Sequence, residues 1–141
     1  MASEPTAPVV PAVVAVGVDG SPESVRAATW AFALAGALAA RVVLVHGAGL
    51  LEGAGLQPAV DLDELLAEAV AHLGPDGPGP VARTVRRPGH PVDVLLTVAA
   101  EEGADLLVVG RRGAGRNVGA IGSTSEAILA ASTVPVVILP H

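Results

Sequence analysis

Two short segments hold the residues with the most chemical potential. Gly110 to Ser125, GRRGAGRNVGAIGSTS, places glycines at 110, 113, 115, 119 and 122 ahead of Ser123-Thr124-Ser125, which open a helix. Glycines allow a ligand close to the backbone, and a helix start presents unpaired N–H groups at the positive end of its dipole. That combination suits a polyphosphate. Arg111, Arg112 and Arg116 lie in a window, Leu106 to Ser125, with no acidic residue, which gives an acidic chain a local charge of +3. The competing reading is a solvated loop whose arginines serve solubility. The second segment is Asp19-Gly20-Ser21. A carboxylate repels phosphate, so Asp19 accepts from a ribose hydroxyl, holds a divalent ion (Mg2+ or Mn2+) against the phosphates, or caps a turn.

Other chemistries find little support. With no Lys or Cys among 141 residues, Walker A loops, Schiff bases, thiolate nucleophiles and zinc–cysteine sites are excluded. Tyr is absent, and Trp30 and Phe32 are the only aromatic residues, so no base-stacking platform exists. The net charge of −6 and pI near 5.0 lack the basic footprint of a nucleic-acid binder. No two of His46, His72, His90 and His141 are three or four apart, and no G-x-S-x-G occurs. His46 ends a strand, where it either approaches a ligand or bonds to backbone. His90 reads as structural, and Glu101 with Glu102 reads as a solvated helix face.

The elements that position these residues alternate strictly. Short β-branched runs at Val13–Val18, Arg41–His46, Val81–Arg87, Asp105–Gly110 and Val134–Leu139 are separated by Ala- and Leu-rich runs at Pro22–Ala40, Asp61–Leu73, Pro91–Gly103 and Ser123–Ala131. Five strands and four helices in this order predict an α/β fold, a parallel sheet with helices on both faces. Ser21-Pro22 and Asp61 with Glu64 mark helix starts, while Gly74 and Gly103 mark helix ends. VVAVGV, VVLV and LLVV are apolar throughout and belong in the middle of the sheet. VARTVRR, with Arg83, Arg86 and Arg87, reads as a charge-protected edge. The last strand, uncharged, reads as the other edge, covered by a second subunit or by its own tail; a homodimer through Val134 to Leu139 is expected.

Residues 1–11, rich in Pro and small side chains, read as a disordered tail, leaving one domain over 12–141. The start carries an acidic residue and no basic n-region, so no export signal is read and a cytoplasmic location is expected. Ala27 to Ala40 is 14 apolar-rich residues, too short for a bilayer and fit for a buried helix. GAGLLEGAGLQPAV, between His46 and Asp61, reads as a mobile flap at one end of the sheet or as surface filler.

VVAVGVDGSPES, VVLVH, ADLLVVGRRGAG and GSTSEAILAASTVPVVILP, in this order from Val13 to Leu139, resemble the universal stress protein family. The resemblance implies an open five-stranded parallel sheet, Rossmann-like and similar to adenine nucleotide alpha hydrolases, with strand order 3-2-1-4-5. It also implies dimers paired through the last strand and, in one subclass, ATP bound by a G-x2-G-x9-G-[S/T] loop. Gly110 and Gly113 match its first glycines and Gly122-Ser123 its closing pair, with eight residues between Gly113 and Gly122 instead of nine. One missing residue shifts an amide by up to about 3.5 Å. By the same resemblance Asp19 lies near the nucleotide, the backbones of Gly17 and Gly47 near the adenosine, and Ser125 matches a hydroxyl position. Gly110, Gly113, Gly122 and the Ser123 and Thr124 amides would hold phosphate oxygens, with Ser123 and Ser125 hydroxyls as donors and Arg112 as a mobile cation. The function read is thus a regulator or sensor in stress response that binds ATP, or alternatively AMP or cyclic AMP, without membrane or nucleic-acid partners. A nucleotide-free dimeric interaction module and a slow ATPase are the rival readings.

Overall fold

The computed structural model describes residues 10–74, 82–111 and 122–140. Five parallel strands form one sheet: β1 (Val13–Gly17), β2 (Arg41–Ala48), β3 (Ala82–Pro88), β4 (Leu106–Gly110) and β5 (Val136–Leu139). Their order is β3-β2-β1-β4-β5, so the apolar runs are central and the arginine strand and the last strand are the edges, as the composition requires. Helices α1 (Pro22–Leu38), α3 (Leu62–His72), α4 (Pro91–Glu102) and α5 (Ser123–Ala131) join them. A one-turn helix, α2 (Leu50–Gly53), lies in the Gly-rich connection where the sequence predicts no element.

Alternation along the strands splits the core in two. Val14, Val16, Val42, Leu44, Leu106 and Val108 pack under α1 and α3. Ala15, Val43, Val45, Leu107 and Val109 pack under α4, with Ile128 of α5. The chain steps outward from β1 to β3 on one face and from β4 to β5 on the other, as right-handed crossovers demand. The apolar run from Ala27 supplies the buried face of α1, with Ala27, Ala28, Ala31, Phe32 and Ala35. Among the described residues no helix is long and apolar enough to cross a membrane.

Local signals act where the sequence places them. Ser21 accepts from the Ser24 N–H and Asp61 from the Glu64 N–H, and Gly103 ends α4 at φ 69°. His90 caps α4, its Nδ1 accepting from the Val92 N–H. Helix α1 stops two residues early because Ala39 turns left-handed at φ 55°. Strand β5 begins at Val136: Val134 is held in a turn by Ser132 Oγ, and Pro135 has no N–H for the ladder.

Glu101 and Glu102 are not merely a solvated face. Arg83 pairs with Glu102 and Arg87 with Glu101, so α4 supplies the counter-ions of the edge strand. Adjacent helix residues reach different arginines because β3 and α4 are consecutive and packed side by side.

Gly47 is where α4 meets the sheet. A Cβ there would lie 2.8 Å from Pro91 Cα, a backbone atom that cannot step aside, whereas one at Gly49 would meet nothing. Gly47→Ala should therefore cost about 1–3 kcal/mol in urea denaturation, and Gly49→Ala less than about 0.5 kcal/mol.

Candidate functional site

The crossovers diverge between β1 and β4, so a crevice opens at the carboxyl ends of these strands, where open parallel sheets bind ligands. One wall is the turn after β1. There the Ser21 N–H donates to Asp19 Oδ1 (2.9 Å), and Gly20 takes φ 84°. Asp19 is exposed and commits one oxygen to this Asx turn, the capping role among its possible readings.

The other wall is the connection from β4 to α5. Its ends are pinched together: the Gly122 N–H donates to the Arg111 carbonyl (2.9 Å) and the Arg111 N–H to the Leu139 carbonyl (3.0 Å). Ser125, 4% exposed, donates its hydroxyl to the Gly110 carbonyl (2.7 Å). Ser125 thus ties strand end to helix start. Gly110 packs against the first turn of α1, where an added Cβ would lie 3.2 Å from Glu23 Cβ. Helix α5 starts at exposed Ser123 and Thr124 with no side-chain cap, so its first N–H groups are presented at the crevice. Arg112 and Gly113 lie outside the described residues. The described residues contain no cluster of three or more His, Asp or Glu able to hold a metal ion alone.

The structure thus brings together Asp19, Gly110, Gly122, Ser123, Thr124 and Ser125 around one crevice. Gly17 is the last residue of β1 and Gly47 the last but one of β2, and both face α4: an added Cβ at Gly17 would lie 3.0 Å from Leu95 Cδ2. Helix packing explains why each is glycine.

Sequence reasoning missed a polar cluster beside the crevice. His46 is buried; its Nδ1 lies 2.8 Å from the Val18 carbonyl and its Nε2 2.8 Å and 3.0 Å from the two Glu52 oxygens. Glu52 also accepts from the Val60 N–H (3.2 Å) and Arg86 (2.8 Å). Burial pushes the Glu52 carboxyl up, but hydrogen bonds from His46 and Val60 and the charges of His46 and Arg86 hold it below the usual value. The signal was in the sequence, since Glu52 is the only acidic residue between Arg41 and Asp61.

The universal stress protein family model matches residues 12–140. This chain belongs to the universal stress protein family. A universal stress protein of Thermus aquaticus, encoded in a QAH/OAS sulfhydrylase 3' region, is 33% identical over 132 residues, covering 86% of this chain and 93% of its own. A universal stress protein solved in complex with cAMP is 30% identical, with a TM-score of 0.71 over 94% of this chain and 98% of its own. A Mycobacterium tuberculosis protein is also 30% identical, with a TM-score of 0.58 over 96% of this chain and 98% of its own.

Because the Glu52 pKa is lowered in the folded state, its contribution is present above the unfolded value of 4.5 and is lost as pH falls through the lower folded value. Glu52→Gln should destabilise the protein by about 1 kcal/mol at neutral pH, the gap to wild type closing below pH 4.5. Urea denaturation over a pH series checks both the size and the sign.

Proposed function

We propose that this universal stress protein binds an adenine nucleotide at the crevice between β1 and β4 and acts as a regulator or sensor in the cytoplasm, not as an enzyme of rapid turnover. The observation that carries this reading is the uncapped start of α5, which presents its N–H groups beside a strand end pinched to it by Ser125 and Gly122. The relative solved with cAMP supports an adenine nucleotide as the class of ligand. The +3 charge of Arg111, Arg112 and Arg116 favours the phosphates of ATP over the single phosphate of AMP or cyclic AMP.

Phosphate oxygens are assigned to the amides of Ser123 and Thr124, with glycines 110, 113 and 122 allowing close approach of the backbone, the Gly122 N–H being held by the Arg111 carbonyl, and with Arg112 as counter-charge. The backbones of Gly17 and Gly47 are assigned to the adenosine and Asp19 to a ribose hydroxyl. Asp19 by itself is a weak metal site, so Mg2+ or Mn2+ would be held jointly by its free oxygen and the phosphates. With no Lys in the chain, fast phosphoryl transfer is not assigned. The edge strand β5, half-buried and uncharged, is the surface through which two copies pair.

Denaturing the purified protein and chromatographing the supernatant should release ATP, and calorimetry should report binding that Gly113→Val weakens at least tenfold without changing the circular dichroism. No retained nucleotide and no heat at millimolar ATP, AMP or cyclic AMP would favour the nucleotide-free dimeric module, which the shortened loop also suits. Sedimentation at micromolar concentration should give a dimer, and a monomer at that concentration would overturn pairing through β5.

A further inference from the structure

The connection between β2 and α3 is held to the domain in an unusual way. Helix α2 buries no residue, Leu50, Leu51 and Leu56 are exposed, and residues 53–59 are all exposed. The backbone hydrogen bonds of residues 53–57 close within the segment, as in Ala54 N–H to Leu50 carbonyl and Leu56 N–H to Leu51 carbonyl. Apolar burial seats only its far end, where Val60 packs against the core. The polar side chain it inserts is Glu52, 10% exposed, which ties together His46 of β2, Arg86 of β3 and the Val60 N–H. Val60 in turn packs on the turn after β1, its Cγ2 3.3 Å from where a Gly20 Cβ would stand.

The same histidine reaches the candidate site from the other side. His46 Nδ1 meets the carbonyl of Val18, the residue before Asp19, and a carbonyl can only accept. Nε2 meets an ionised carboxylate, which also only accepts. Both contacts are hydrogen bonds only while both ring nitrogens carry protons. When one proton leaves, a lone pair faces either Glu52 or Val18, and the polar tie through His46 between the segment and the β1 turn is lost, leaving the apolar contact of Val60. The charged groups around the ring are Glu52 from α2 and Arg86, its register partner on β3. Beyond Arg86, Asp61 and Asp63 at the start of α3 line the adjoining cleft with Thr84. Asp19 follows Val18 in the β1 turn.

We propose that His46 and Glu52 are positioning residues forming a proton-dependent latch, which fixes the segment 49–60 and the Asp19 turn as one wall of the nucleotide crevice. The latch makes nucleotide affinity fall with rising pH, as His46 comes to face two acceptors with only one ring proton. Its role in affinity rests on the nucleotide reading above; the latch itself does not.

The test combines two readouts on the full chain between pH 5.5 and 8.5. Hydrogen exchange of the 49–60 amides, corrected for intrinsic rates, should show protection in the wild type that falls about tenfold with rising pH. In Glu52→Gln and His46→Gln it should be low throughout. Should His46→Gln fail to fold, Glu52→Gln carries the comparison, because its side chain sits under an exposed segment. Calorimetric ATP affinity, taken as the ratio of wild type to Glu52→Gln at each pH so that titration of ATP itself cancels, should fall about tenfold across the range. Protection of 49–60 that does not vary with pH, or that Glu52→Gln leaves at the wild-type level, overturns the latch. An affinity ratio that is flat with pH overturns its role in binding. Absence of ATP binding at every pH, with pH-dependent protection intact, overturns the nucleotide reading and leaves the latch standing.

Discussion

Everything in this molecule depends on burying a parallel sheet on both faces. The central strands are apolar on both sides, with Val14, Ala15, Val16, Val42, Val43 and Leu44 fully buried, and neither face tolerates water. Right-handed crossovers meet that requirement only by sending α1 and α3 to one face and α4 and α5 to the other. The two directions separate at β1 and β4, and the crevice there is the unavoidable by-product. A crevice of this kind is a consequence of topology before any side chain is chosen.

The polar groups at that end of the sheet then finish what the core begins. Strand ends leave backbone groups that must be paired or presented. Ser125 answers the carbonyl of Gly110, Asp19 answers the N–H of Ser21, and His46 answers the carbonyl of Val18. The opposite end of β1 is served in the same way by Asp105, which accepts from the N–H groups of Ala12 and Val13. What distinguishes the carboxyl end is the start of α5, where Gly122 at the N-cap offers no side chain to the helix N–H groups.

Edge protection links the two halves of the fold. Arg83 and Arg87 of β3 find their partners on α4, and Arg86 finds Glu52 on the α2 segment. Exposed ion pairs of this sort contribute little to stability. Their effect is on the edge itself, where charge discourages strand addition, and on helix α2, which buries no residue of its own. Strand β5 has no such charges, and the two edges of one sheet therefore face different fates.

Much was legible along the chain because the signals are local. Period and composition marked the five strands and four long helices, Ser21, Asp61 and Gly103 marked helix boundaries, and apolar strands against an arginine-bearing one decided which were central. The glycines and hydroxyls from Gly110 to Ser125 marked a candidate site for the same reason, since they are adjacent in sequence. Other features depend on residues brought together only by folding. Gly17 and Gly47 give no hint in sequence that a side chain there would run into α4, about 45 residues away by chain at Gly47. Ser125 looks like a phosphate donor, but its hydroxyl closes on Gly110 across the connection. Glu52, an isolated acid in a Gly-rich stretch, acquires meaning only when β2 and β3 pair and set Arg86 beside His46. Sequence by itself determined the elements, their order and the chemistry available at the strand ends, because these follow from period, capping and composition. Tertiary structure alone decided which polar atoms are already committed and which remain for a ligand, because burial and hydrogen-bond partners exist only between segments distant in the chain.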